Sequence, residues 1–169
     1  MATFDQQDLD GADWPIFQNG WVQMYWKSDI LEQDLAWLSA DHYQVHRLDC
    51  ENWSSKADAL GNLGSTLEFP EYYGQNLDAF NDCLGDLKVP MDGGAVLVLI
   101  HYDRFAHRDP QTAHAILDIC ADNARRFMLF GQRLATFVQS DDPRLEFDSV
   151  GSTPVMWNRK EWPNAKRGL

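Results

Sequence analysis

The sequence predicts an α/β domain built on a small parallel sheet, and two observations carry that expectation. Segments with strand chemistry alternate with segments of helical apolar spacing, as a sheet wound with crossover helices requires. The run Ala95-Val-Leu-Val-Leu-Ile100 is apolar throughout and follows Gly93-Gly94, which suits a strand covered on both faces.

The elements follow in order. Residues 1–13 are polar and acidic and are expected to fray. Trp21-Val-Gln-Met-Tyr-Trp26 is rich in strand formers and reads as an edge strand. Ser28 and Asp29 resemble a helix cap, with Glu32 completing a capping box. Leu31, Leu35 and Leu38 then give a short amphipathic helix over 30–39, ended by Asp41-His42. Residues 43–48 read as a strand. Ser55 with Asp58 opens a second helix, whose stripe is Leu60, Leu63 and Leu67 and whose propensity Gly61 and Gly64 lower. Residues 69–76 form a loop by their Pro and Gly. Asn76 caps a helix from Leu77 to about Asp86, with Leu77, Phe80 and Leu84 on one side. After the buried strand, Asp109-Pro110 starts a longer helix with Ala113, Ile116, Leu117, Cys120 and Ala124 as its apolar stripe. Leu134 to Val138 is the last clear strand. Residues 141–169 hold turn residues, a short strand candidate at Val155–Trp157 and a basic end (Arg159, Lys160, Lys166, Arg167). The organisation expected is an N-terminal extension (1–40) packed on a core domain (41–140), followed by a C-terminal extension (141–169).

Composition narrows the function classes. A chain of 169 residues with 44% apolar and 12% aromatic content supports one domain with a real core. The net charge of -12 argues against RNA or DNA as a direct ligand, because phosphate binding needs clustered Lys and Arg. A basic protein is the better-matched partner. Three cysteines without a CxxC spacing suggest neither a disulfide framework nor a zinc site. Cys83 and Cys120 read as small core residues. The five histidines show no ligand spacing, so no metal and no cofactor is expected. The N-terminus lacks the basic and apolar regions of a signal peptide, and no apolar run is long enough to cross a membrane. The expected home is the cytoplasm. Trp21, Trp26, Trp37 and Trp53 are expected in the core or in a cover over it, with Trp157 and Trp162 holding the C-terminal segment.

One segment stands out chemically. From Glu68 to Leu87 there is no Lys or Arg, yet the stretch holds Glu68, Glu71, Asp78, Asp82 and Asp86. On a helix Asp78, Asp82 and Asp86 are spaced i, i+4, i+8 and share a face. Like charges so placed cost a few tenths of a kcal/mol per pair, roughly 0.2–0.5. A solvated face near a helix N-terminus accounts for Asp78, for Asp82 less well, and for Asp86 not at all. A face kept negative for a cationic partner accounts for all three. Pattern alone leaves both readings standing.

The same residues resemble a family. Phe69-Pro-Glu-Tyr-Tyr-Gly-Gln-Asn-Leu-Asp-Ala-Phe-Asn-Asp-Cys-Leu84 is similar to the helix-2 signature of barstar, the intracellular inhibitor of the ribonuclease barnase. The strand-helix unit before it and the strand-helix-strand unit after it fit in order, so the resemblance spans about residues 43–139. It implies a barstar-like α/β fold, with a small parallel sheet flanked by helices and an inhibitory surface on the second helix and the loop before it. Carried over by position, Tyr72 would pack on the nuclease's catalytic histidine. Gly74 and Asn76 would lie in the contacting loop. Asp78 and Asp82 would enter the active site, with Asp82 in place of substrate phosphate. A carboxylate suits that role because it makes charge-assisted, often bidentate bonds with arginine.

The chain departs from the family's pattern in places. Asn81 and Leu87 stand where the family has aromatic residues, and Gly85 takes a hydroxyl position. Apolar anchoring at this rim is therefore weaker, and the cognate enzyme can differ from barnase. The family also uses an acidic residue near the end of its third helix, for which Asp118 and Asp122 are the candidates. The partner-binding set expected is Tyr72, Gly74, Asn76, Asp78, Asn81, Asp82, Gly85, Asp86 and Asp122. The function expected is inhibition of a basic extracellular or toxin-type ribonuclease by a monomer in a 1:1 complex, with immunity against a nuclease toxin as one setting. The alternative is an adaptor of the same fold that binds a different basic protein. No nucleophile motif or phosphate loop accompanies the carboxylates, so no catalytic residue is expected.

Overall fold

The computed structural model describes residue 17 and residues 20–161. The elements run β1 (Val22–Tyr25), α1 (Ser28–Ala40), β2 (Tyr43–Asp49), α2 (Lys56–Thr66), α3 (Leu77–Gly85), β3 (Gly94–Ile100), α4 (Tyr102–Arg108), α5 (Pro110–Met128), β4 (Leu134–Gln139) and β5 (Met156–Trp157). The strands form one sheet in the order β2-β3-β4-β1-β5, with every pairing parallel. This is the α/β class that the alternation and the apolar run at 95–100 predict.

β3 shows why that run is apolar at every position. Val96 and Val98 pack with Leu31, Leu35 and Leu38 of α1 on one face of the sheet. Ala95, Leu97 and Leu99 pack on the other face against residues of α2, α3, α4 and α5. Each large side chain so buried contributes roughly 1.5–3 kcal/mol relative to exposure. Among the described elements the first face carries α1, with Phe17 beside it, and the second carries α2, α3, α4 and α5.

Several expectations need correction. β1 is not an edge strand, since it lies between β4 and β5. All four of its residues are buried, so it is covered on both faces and paired on both sides. The edges of the sheet are β2 and β5. The helix α1 does not use the expected capping box either. Its N-cap is Lys27, which makes no side-chain cap bond, and Glu32 instead pairs with Arg47 of β2 at 2.8 Å. A distant carboxylate instead holds the chain just before the helix. The backbone N–H groups of Trp26 and Lys27 donate to the two carboxylate oxygens of Glu161, at 2.8 and 2.6 Å. α4 has no counterpart in the sequence reading. It is seven residues long, starts after His101 in a left-handed conformation (φ 53°) and has no side-chain cap bond, so no start signal marks it.

The tryptophans divide. Trp53 is buried, Trp157 nearly so, and Trp21 and Trp26 pack partly against the core. Trp37 is 56% exposed and points away from it. Trp162, the basic residues Lys166 and Arg167, and the polar tail at 1–13 lie outside the described residues. All three cysteines are buried and free.

β1 and β5 both belong to the central sheet, so the two flanks of the chain meet. A buried polar cluster joins them. Asp34 of α1 accepts from Tyr25 Oη at 3.0 Å, Asn158 Nδ2 at 3.1 Å and Lys160 Nζ at 2.6 Å. With Glu161 it fixes the segment after β5 to the β1–α1 junction. Burial pushes the Glu161 carboxyl up, and its two backbone donors offset part of that rise.

Candidate functional site

The acidic segment is positioned by the glycine that weakens the α2 pattern. A Cβ on Gly64 would sit 2.6 Å from the Tyr73 ring, closer than atoms tolerate. Glycine therefore lets Tyr73 lie flat on α2. Tyr73 Oη donates to the Leu60 carbonyl at 3.1 Å, and Phe69 meets the Tyr73 ring edge-on at 5.0 Å between centroids. Burial holds the Tyr73 hydroxyl at a pKa of about 12, so it remains a donor at all physiological pH. With Phe69 and Tyr73 turned inward, Tyr72 between them is left 80% exposed.

Gln75 then adopts a left-handed conformation (φ 48°) and delivers the chain to Asn76. Asn76 Oδ1 accepts from the Ala79 backbone N–H at 2.9 Å and caps α3 as the sequence predicts. Phe80, Cys83 and Leu84 are buried, which turns Asp78 and Asp82 to solvent. Among the described residues neither side chain has a hydrogen-bond or ion-pair partner. Asp78 lies in the first turn, where the helix dipole favours a negative charge. Asp82 lies one turn on, beyond most of that benefit. Gly74 is exposed in the loop just ahead of them.

Asp86 ends the three-residue row at the C-terminus of the helix. It is the C-cap of α3, and its backbone N–H bonds to the Asp82 and Cys83 carbonyls. Its side chain is exposed at the negative end of the helix dipole, where it gains nothing from the helix. Asp86 lines a groove of about 720 Å³ with Tyr72, Cys83, Leu87 and Lys88, whose far wall is the edge strand β2 with Gln44, Val45 and His46. The candidate surface is thus an exposed aromatic, two unpartnered carboxylates on a rigid capped helix, and a third at the groove.

A family model described as barstar (barnase inhibitor) matches residues 43–139, more than half of the chain. The chain belongs to the barstar family. No curated protein matches the chain. The barstar match runs from β2 to β4 and includes the loop and α3, while β1, α1 and β5 lie outside it. Members of the barstar family are inhibitors that bind ribonucleases as protein partners.

Within the barstar frame, the departures at the rim acquire a geometry. Asn81 is half-buried and accepts from Asn123 Nδ2 of α5 at 2.9 Å, so it ties α3 to α5. Gly85 is half-buried beneath Arg126 of α5, whose Nη1 lies 3.2 Å from where a Cβ would stand. The expected acid on the long helix is not beside α3. Asp122 pairs with Arg125 at 3.0 Å, and Asp118 accepts from the Gly151 backbone N–H at 2.7 Å. Both face the turn at 151, because the α5 flank toward α3 is taken by Asn123 and Arg126. No signal in the sequence marks Arg126, which is some 40 residues from the segment it meets in space.

A second cluster also escaped the spacing rules. Asp49, Glu51 and His101 bring their ligand atoms within 4.8 Å of one another at the ends of β2 and β3. His101 Nδ1 lies 3.0 Å from Asp49 Oδ1. That contact raises the His101 pKa and lowers that of Asp49. The residues are separated in sequence by α2, α3 and β3, so only the parallel pairing of β2 with β3 unites them.

Proposed function

We propose that this barstar-family chain inhibits a basic ribonuclease of the secreted or toxin type, by inserting Asp78 and Asp82 into its phosphate-binding cleft. The observation that carries this is Asp82: exposed, mounted on a capped helix, and without a partner in its own chain among the described residues. A carboxylate that stabilises nothing at home is free to form charge-assisted bonds with the arginines and lysines that hold an RNA backbone. The rigid mount reduces the ordering cost of docking. Tyr72, Gly74 and Asn76 form the flank of the same contact, and Asp86 extends it toward the groove. The net charge of -12 adds long-range attraction for a basic enzyme. The complex is 1:1, forms in the cytoplasm, and involves no turnover by the inhibitor; immunity against a nuclease toxin is one setting that needs it.

The test is inhibition of RNA cleavage. Purified chain is titrated into barnase and into a set of basic secreted and toxin-type ribonucleases. At least one enzyme should be blocked at equimolar protein, with Asp82→Ala relieving the block. Failure to inhibit any of them, with binding instead to a basic protein that is not a nuclease, would favour the adaptor reading. The tethered rim at Asn81 and Gly85 makes an enzyme other than barnase the expected target.

A further inference from the structure

We infer that Arg126 is a specificity residue, a cation at the rim of the acidic face that receives a carboxylate of the partner ribonuclease. The inference rests on the inhibitor reading above and adds to it a partner of mixed charge, basic at its cleft and acidic at one edge.

The geometry that supports it begins at Gly85. A side chain there would press on both Asn123 and Arg126, since Asn123 Oδ1 lies 3.1 Å, Arg126 Nη1 3.2 Å and Arg126 Cζ 3.6 Å from the position of a Cβ. Glycine thus leaves the guanidinium lying over the last turn of α3, a turn away from Asp82. Arg126 is exposed, and its one hydrogen bond among the described residues is a long one, 3.3 Å from Nη1 to Asn123 Oδ1. It forms no ion pair among the described residues. Arg144, Lys56 and Lys88 likewise show no ion pair among the described residues, so what sets Arg126 apart is its place beside Gly85 of α3. Arg47, Arg104 and Arg125 each meet a carboxylate, and Arg108 donates to two backbone carbonyls.

A purely internal role explains part of this arrangement. The C-terminal end of α3 is the negative end of its dipole and favours a nearby cation. The contact with Asn123 also helps orient the amide that bonds Asn81. Neither role needs a guanidinium with most of its five donors unspent. Arg126 stands beside Gly85, three residues from Asp82 on α3, and a planar fork is matched to a carboxylate.

The experiment is chosen because two accounts predict opposite signs. On net charge alone, Arg126→Glu makes an acidic inhibitor more acidic and should speed and tighten its binding to a basic enzyme. On the present inference it removes a charged hydrogen-bonding group and opposes two carboxylates, so affinity should fall by about tenfold or more. Wild type, Arg126→Glu, Arg126→Met and Asp82→Ala are measured against whichever ribonuclease the wild type inhibits, with thermal unfolding of each recorded in parallel. Arg126→Met should lose less than Arg126→Glu. Replacing the facing enzyme Asp or Glu by Lys should restore the Arg126→Glu complex. Binding of Arg126→Glu that is unchanged or tighter overturns the inference while leaving the inhibitor reading intact. So does a loss that is as large in Arg126→Met, tracks a fall in stability and is not restored by the enzyme's charge swap, since that marks a structural role. If the wild type inhibits no ribonuclease, the inhibitor reading fails first and this inference falls with it.

Discussion

Two pairs of carboxylates in this molecule have the same chemistry and opposite circumstances. Asp34 and Glu161 are buried, 2% and 0% exposed, and donors from Tyr25, Trp26, Lys27, Asn158 and Lys160 meet their oxygens. Asp78 and Asp82 are exposed, and among the described residues nothing meets theirs. The first pair joins the two flanks of the chain to the sheet. The second pair makes no hydrogen bond or ion pair among the described residues, and only Asp78 gains from the helix dipole. A carboxylate's role is therefore set by which groups satisfy it, and the unsatisfied pair is the one available to a partner.

The largest effect that would break this comparison is on stability. Asp34→Ala strands the buried Tyr25 hydroxyl and Asn158 amide, and should cost about 3 kcal/mol or more in urea unfolding. A mutant that unfolds at the wild-type midpoint would show the buried pair to be dispensable. Asp82→Ala should do the reverse. It should weaken ribonuclease binding by upwards of about 2 kcal/mol, the size of an interface hot spot, for which a barstar–barnase complex is itself a reference case rather than a value obtained from this chain. Its stability should be unchanged or slightly higher, because alanine favours helix and the repulsion with Asp78 is relieved. Binding and unfolding measured on the same sample decide this.

Salt sharpens the contrast at a smaller scale. Raising ionic strength should slow association with the enzyme several-fold, since the exposed carboxylates act through solvent. The stability contribution of Asp34 should barely respond, because a buried pair is weakly screened. Stopped-flow rates and paired urea titrations at two salt concentrations check both halves.

The smallest effect concerns a pair of intermediate exposure, Asp49 and His101. The raised His101 pKa means that its stabilising contribution is complete below its ordinary 6.5 and is lost as pH rises through the raised value. The lowered Asp49 pKa means that its share is complete above the ordinary 3.8 and is lost as pH falls through the lowered value. The difference in stability between wild type and His101→Gln should therefore be greatest in the acidic window between those limits and fade at alkaline pH. Its size should stay below ~1 kcal/mol for so exposed a pair. A pH-independent difference would mean that His101 acts by packing.

Much of the fold was legible in sequence because it rests on local patterning. The continuous apolar run marked β3 as buried on both faces, and Ser55, Asn76 and Asp109-Pro110 marked three helix starts correctly. The elements that went astray are those set by distant partners. β1 reads as an edge strand until β5 pairs with it. α1 reads as self-capped, yet its N-cap makes no side-chain bond and Glu161 holds the chain just before it. α4 carries no start signal and is held by burial of Tyr102, Phe105 and Ala106. The site divides in the same way. Asp78, Asp82 and Asp86 were visible as a charge pattern on a helix, whereas the turning of Asp122 toward Gly151 and the arrival of Arg126 were not.

The sequence alone determined the alternation of strand and helix, the barstar-like signature of the loop and α3, and the presence of unneutralised acid along that stretch. These depend on residues within a few positions of one another, where spacing decides which face a side chain takes. Only the tertiary structure decided which carboxylates are satisfied and which are free, because donors from residues far along the chain reach them only after the sheet has assembled.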